Sequence, residues 1–576
     1  MINPRYIFLI IIAVALMSFG TTIRVGFLWD DHQMIESNPY IKTITAANIR
    51  HFFSSDPFNQ ELNYYRPLQS LSNLFEYRAW GLRPAYYHVV NLLFHCLGAW
   101  FLYLFALLIG IAPPYALAAT LLFTANPIAV EQFLIIAGRA EIMSSAFIMA
   151  SLVLFFRRTT LSYALSLAAF MLAMLSKENG VVTPLLIGLT VLYLGQPARR
   201  LYALIPYFLL TAPYLIMRNI AVGKTLPALH PGDALFFVVK FPQEILLYTL
   251  HTFAPFTLHS HRLAPDATLV SAVIFIIFLA GITAALIYRQ KMLLFGIAWY
   301  CILFIPKMPL LATNVLMLDH WAYLSNAGLF IVLSWYAARL PKAAVTAIAS
   351  VMIILFVAAS NGNIAMRNTD LKNYEYAAHK TSSRPLHFNL AREYYFTGDL
   401  PRARAAFERV LRDRPDNIMA SNGYALTLFR MGQKEEAISA LEEANRLCGG
   451  DAAAFGNLAL FYEETGKRDT AIEYYARALA LKPEHESFLM RLAQLQRMSG
   501  NRAAALSLYA RALAIDPRNA EALINTGSLY AEQENYAAAR NYFTRAHDIA
   551  PRNPVIQENL ARLNAIISSA PLPGGD

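Results

Sequence analysis

Eleven apolar runs, separated by short polar connections, occupy the first 359 residues of this 576-residue chain. This pattern constrains the fold more than any other feature. A backbone crossing hydrocarbon has no water to bond, so each N–H and C=O must be satisfied internally, which a helix does. The runs are Tyr6–Phe19, Tyr87–Ile111, Tyr115–Ala125, Ile142–Phe156, Leu161–Leu175, Val181–Leu194, Leu201–Met217, Leu269–Tyr288, Met292–Ile305, Ala322–Leu340 and Ala343–Ala359. Several fall short of the roughly 20 residues of a straight span, so their ends are expected to extend into aromatic and small-residue flanks. No small-x-small cleavage site follows Tyr6–Phe19, so it reads as a retained first helix. The chain is 57% hydrophobic and 15% charged, against about 25% charged for a soluble protein. The deficit lies ahead of the C-terminal third, so a membrane domain precedes a soluble one. The net charge of +10 comes without a long basic run. Nucleic-acid binding does not follow from it, and Lys and Arg in cytoplasmic loops account for the excess.

Those basic residues also set orientation. Arg157-Arg158, Arg199-Arg200, Arg289 with Lys291, and Arg339 with Lys342 should all be cytoplasmic. The segment Leu235–Leu258 holds Lys240, Pro242, Gln243, Glu244 and His251 and is expected to be re-entrant or to lie on the surface. About eleven spans result, with the N-terminus inside and the C-terminus outside. If Leu235–Leu258 spans instead, everything after it inverts. The long Arg24–Pro84 loop then lies outside the cytoplasm, with the Asn126–Glu141 and Lys177-Glu178 turns and the Arg218–Asp233 and Pro306–His320 loops.

The C-terminal part repeats. Gly398, Gly432, Gly466 and Gly500 are spaced by 34 residues, as are Ala403, Ala437, Ala471, Ala505 and Ala539. Pro415, Pro483, Pro517 and Pro551 keep the same register, and Ala391, Ala425, Ala459, Ala493 and Gly527 hold a small position. Phe407, Leu441, Tyr475, Tyr509 and Phe543 supply the bulk. Small residues let paired helices approach, large ones fill the gap, and proline ends the pair. This is the tetratricopeptide period. Five copies run from about Arg384 to Asn553, and Pro554–Ile567 reads as a capping helix. The array is expected to bind a peptide or protein partner.

Chemistry is expected in the first loop. Two adjacent carboxylates, Asp30 and Asp31, follow Trp29 at the exit of the first span. Charged groups near lipid are costly and usually functional, although a cap or turn also uses aspartate. A carboxylate there can deprotonate an acceptor hydroxyl. Arg66 stands in Tyr64-Tyr65-Arg66-Pro67, where the rings suit either an interfacial belt or a sugar. Arg139 and Glu141 make either a helix-end ion pair or, through the arginine fork, a phosphate site. Lys177 is an interfacial lysine that snorkels or meets lipid phosphate, and His88 suits a core position better than a ligand. His230, His251, His259 and His261 are too irregularly spaced for a zinc site. Cys96, Cys301 and Cys448 form no disulfide framework.

Trp29-Asp30-Asp31, Tyr65-Arg66-Pro67-Leu68, Tyr87-His88-Val89-Val90-Asn91-Leu92-Leu93, Asn126-Pro127 to Glu131, Ala137-Gly138-Arg139-Ala140-Glu141, Ser176 to Gly180 and Tyr323 to Gly328 together resemble the transmembrane O-mannosyltransferases with C-terminal tetratricopeptide repeats. The resemblance implies an all-α chain, with a polytopic GT-C-type helical domain followed by an α-solenoid. It implies an inverting transfer of hexose, mannose first, from a polyprenyl-phosphate carrier to a protein hydroxyl. Asp30 and Asp31 would be catalytic. Arg66, Arg139, Lys177 and His88 would hold the donor phosphate, and Trp29, Tyr65 and Glu141 would contact acceptor or sugar. The chain departs from the family at Asn126-Pro127, where His-Pro is usual, and at His320-Trp321, where an Arg or Lys precedes Tyr-Leu.

The expected domains are 1–369 (with 24–85 as the acidic loop), a linker at 370–383, repeats with their cap at 384–567, and a tail at 568–576. No cofactor is expected, and divalent metal dependence stays open. The expected location is a bacterial inner membrane with the repeats in the periplasm, read in part from the C-terminal Pro571–Asp576, which carries no retention signal. A glycan ligase or polymerase of the envelope, and a non-catalytic scaffold built on the repeats, are the alternatives.

Overall fold

The computed structural model describes residues 4–55, 64–222, 231–255, 258, 262–263, 269–307, 316–380 and 384–569, excepting the side chains of 231–238, 262–263, 316–317, 384–385 and 569. It divides into two units, Met1–Leu386 and His387–Asp576. Among the described residues the fold is helical apart from one antiparallel pairing, Arg262–Leu263 with Leu316–Met317.

Each of the eleven apolar runs carries a helix, and among the described residues seven helical stretches are long and apolar enough to cross a membrane. These are Pro4–Arg24, Pro84–Leu108, Pro113–Leu134, Ile136–Phe155, Ala198–Val222, Leu269–Ile287 and Lys342–Arg367. By length and composition these seven are the candidate spans, against the expected count of about eleven. The other four runs form Thr160–Ser176, Thr183–Tyr193, Lys291–Phe304 and Ser325–Ala337, of 11–17 residues. At 1.5 Å per residue they reach about 17–26 Å, against a hydrocarbon core of about 30 Å. Residues 235–253 of the segment expected to be re-entrant or on the surface belong to one helix, Pro231–Phe253, which packs against Leu269–Ile287.

Polar side chains tie the bundle together as well as small ones. Ser151 Oγ donates to Ser166 O at 2.9 Å, and Ser166 Oγ lies 2.6 Å from Tyr207 Oη. Such hydrogen bonds join helices where lipid supplies no hydrophobic drive. Gly98 lies where Pro84–Leu108 packs against Arg139–Phe155, with Ala146 facing it. The stretch expected as a linker contains a helix, Asp370–Ala378, capped by Thr369, whose side chain accepts from Lys372 N. Its sequence is polar enough to read as linker, but the cap starts a helix.

The repeats form five helix pairs between Arg384 and Ile549, followed by Pro554–Ser569. The repeated alanines are fully buried, as the register requires. Gly398, Gly432, Gly466 and Gly500 take φ of 79–84° at the turn inside each pair. The fifth copy has Glu534 at that turn, at φ 60°.

Candidate active site

The first helix ends at Phe19, and a 3-10 turn, Gly20–Arg24, leads into an extended stretch that reaches Trp29. Trp29 sits at φ 52°, a left-handed conformation that a bulky residue rarely adopts. Past this turn the two carboxylates part company. Asp31 is fully buried and accepts N–H groups from Leu28 at 3.1 Å, Ile136 at 3.0 Å and Ala137 at 2.7 Å. Burial pushes it up to about 7 against the pull of those three donors. It stitches the loop to the turn before the helix Arg139–Phe155 and is not among the cavity's lining residues, so of the expected acidic pair only Asp30 faces the cavity.

Asp30 lines a cavity of about 250 Å³ with Trp29, Tyr64, Arg66, Glu131, Gln132, Glu141, Lys177, Leu318 and His320 among its walls. Its carboxylate makes no hydrogen bond among the described residues. Burial raises its pKa, Arg66 lowers it, Glu131 raises it and His320 lowers it, leaving it above the ordinary aspartate value. A carboxylate raised in this way and facing open space is suited to take a proton.

The cations opposite differ in how fully they are engaged. Arg66 stacks on Tyr64, with Cζ 4.2 Å from the ring centroid, and pairs loosely with Glu178 at 3.7 Å. Its buried Nε has no hydrogen-bond partner among the described residues. Lys177 pairs with Glu141 at 2.7 Å. Glu141 also accepts both bonds of the Asn179 amide at 3.0 Å and has Lys307 at 3.9 Å. His320 Nδ1 lies 3.3 Å from Glu131.

Three expected contacts lie elsewhere. Arg139 is fully buried in the protein core and every arm of its fork is taken. Nε donates to Asn91 at 2.7 Å and Nη2 to the Tyr87 carbonyl at 2.8 Å. Nη1 donates to Ser72, Asn73 and Glu76. It does not line the cavity, where a phosphate was expected to meet it. The reason is helical geometry: residues two apart point to opposite sides, so with Glu141 at the cavity Arg139 turns away. His88 is buried, with Nε2 3.2 Å from Val25 O, and is a core residue. Tyr65 is buried against Tyr214 with its hydroxyl on Phe53 O at 3.3 Å, and its neighbour Tyr64 takes the cavity wall.

Glu131 and His320 were not singled out from the sequence as site residues. The signal was available for Glu131, which ends one of the motifs quoted for the resemblance, and for His320, where the chain departs from it. Lys307 offered no comparable signal. Among the described residues no group of three or more His, Cys, Asp or Glu could hold a metal. His230, His259 and His261 lie outside the described residues.

A polytopic helical chain with a charged cavity at its first loop and a C-terminal helical array is the class the fold defines. The tetratricopeptide repeat family model matches residues 388–452, 457–520 and 490–554. The chain is distantly related to animal protein O-mannosyl-transferases. It is 30% identical over 189 residues to Protein O-mannosyl-transferase Tmtc1 of Drosophila melanogaster, covering 31% of this chain and 22% of that protein. It is 33% identical over 185 residues to tmtc2 of Xenopus laevis, covering 29% and 22%. With human TMTC3 it shares 27% over 183 residues, covering 30% and 20%. The match thus spans about a fifth of each relative's length. Among solved structures, the repeat protein YrrB is 22% identical over 32% of this chain and 96% of that one, with a TM-score of 0.29. MamA is 22% identical over 30% and 97%, with a TM-score of 0.27. The comparisons overturn the expected bacterial inner-membrane location. The O-mannosyl-transferase relatives come from fly, frog, human, mouse and worm, and a missing retention signal at the C-terminus does not point to bacteria.

Proposed function

We propose that this protein is a membrane glycosyltransferase that moves a hexose, mannose in the first instance, from a polyprenyl-phosphate carrier to a protein hydroxyl on the side away from the cytoplasm. The observation that carries the reading is Asp30. Its unbonded carboxylate shares one cavity with the partly engaged Arg66 guanidinium. Asp30 takes the proton of the acceptor hydroxyl as its oxygen attacks the sugar's anomeric carbon. The bond from that carbon to the phosphate oxygen breaks, and the polyprenyl phosphate leaves. Arg66 faces the charge that develops on the leaving group, and a guanidinium fork fits phosphate oxygens. Lys177 holds Glu141 in the wall, and Tyr64 and Trp29 offer ring faces to the sugar. The repeats would present the acceptor protein.

The test separates the two roles. Arg66→Gln should raise the KM for dolichyl-phosphate mannose, in keeping with loss of a charged hydrogen bond worth about 1.5–3 kcal/mol. Asp30→Asn should lower kcat and leave donor binding in place. Unchanged donor KM in Arg66→Gln would remove the phosphate role.

A further inference from the structure

One charged residue near the acidic loop has no part in that reaction. Asp370 opens the helix Asp370–Ala378, 341 positions along the chain from Trp29. Thr369 caps this helix, so the Asp370 carboxylate is free to reach outward. Its Oδ1 accepts the Trp29 N–H at 2.9 Å, and its Oδ2 lies 2.8 Å from His32 Nε2. His32 turns its other nitrogen to Glu36. The preceding helix, Lys342–Arg367, packs against the first helix, Pro4–Phe19, so Asp370 stands on the frame that carries the loop. The two residues it grips bracket Asp30-Asp31, and one of them is the left-handed Trp29. A non-glycine residue stays in that region only where its surroundings hold it there. Asp31 anchors the far side of the turn from within, and Asp370 grips it from outside.

We propose that Asp370 is a positioning residue, whose hold on the Trp29 amide and the His32 ring fixes the turn that presents Asp30 to the cavity. This rests on the reading of Asp30 as the base. Asp370 does not line the cavity and touches no reacting atom. Its effect therefore falls on the rate of the chemical step and not on donor affinity.

The experiment uses the full chain in detergent, radiolabelled dolichyl-phosphate mannose as donor and a membrane-protein extract as acceptor. Asp370→Ala, Asp370→Asn and His32→Gln are compared for kcat, donor KM and hydrogen exchange over residues 28–32. Misplacing a reacting group by an ångström costs on the order of 100-fold, so Asp370→Ala should lose about 10- to 100-fold in kcat, with donor KM within about twofold. Exchange at residues 28–32 should rise in the same variant. Asp370→Asn retains an oxygen for the Trp29 N–H and should recover most of the rate, while His32→Gln, which keeps the Trp29 contact, should lose less than Asp370→Ala. Wild-type kcat and exchange in Asp370→Ala would overturn the proposal, as would faster exchange spread through the whole chain. If Asp30→Asn transfers normally, the base assignment fails, and local exchange still decides whether Asp370 holds the loop.

Discussion

Replacing Arg139 with alanine should unfold this protein's membrane unit before it harms donor binding. The guanidinium is wholly buried and reaches Asn91, Ser72, Asn73, Glu76 and the Tyr87 carbonyl. Its removal strands Glu76, itself only 5% exposed, whose carboxyl is already raised by burial even with Arg139 beside it. Breaking a buried ion pair from one side costs about 3–5 kcal/mol, equivalent to a loss of roughly 100- to 5,000-fold in the folded-to-unfolded ratio. Pairing Arg139→Met with Glu76→Leu removes both charges and should be far milder than the sum of the single changes, since apolar replacement of a whole buried pair is often neutral. The assay is a double-mutant cycle on resistance to thermal unfolding in detergent, with donor affinity measured on the folded fraction. A stable Arg139→Ala protein with weakened donor affinity would refute the reasoning and return Arg139 to the phosphate.

The wall assignments predict that Tyr64→Ala lowers transfer while Tyr65→Phe leaves it unchanged, because only Tyr64 lines the cavity; equal losses in transfer assays would contradict this. Glu534→Gly should stabilise the last repeat by about 0.5–1 kcal/mol, as relief of left-handed strain of about 1–2 kcal/mol exceeds the entropy cost of glycine; slower hydrogen exchange over residues 520–549 would show it, and faster exchange would count against it. Asp31 is raised by burial to about 7, so the folded state keeps a proton that the unfolded state has released. Its contribution to stability is full below the ordinary aspartate value and is lost as pH rises through about 7. Unfolding followed between pH 4 and 8 should show this fall, and Asp31→Asn should flatten it; a slope unchanged by the substitution would discard the argument.

The helices and the repeats were legible in the sequence because they rest on period and run length. The alanines and glycines of the array needed only their spacing, and Glu534 stands where the glycine series breaks. The number of spans was less legible, since Thr183–Tyr193 and Ser325–Ala337 are apolar yet short. At the cavity the sequence named Trp29, Asp30, Arg66, Glu141 and Lys177, all of which line it. The resemblance favoured Asp30 over Asp31 by its place in the acidic pair, but the residues themselves could not tell Asp30 from Asp31 or Tyr64 from Tyr65, because the direction of adjacent residues in a loop depends on a turn such as the left-handed Trp29. Arg139 was different: its spacing of two from Glu141 on a helix was enough to exclude one of the pair from the cavity. Asp370 lay beyond any local pattern, since its contact spans nearly the whole membrane unit.

The central claim is that Asp30 is the base of a sugar transfer. The most direct measurement is transfer of radiolabelled mannose from dolichyl-phosphate mannose to protein by purified wild-type and Asp30→Asn chains, with donor binding checked in both. Asparagine keeps the size of the side chain and loses its basicity, and a placed general base is worth about 10²–10⁴-fold. The account predicts a fall of that order in labelled protein with donor binding retained. Equal labelling by the two chains would contradict it.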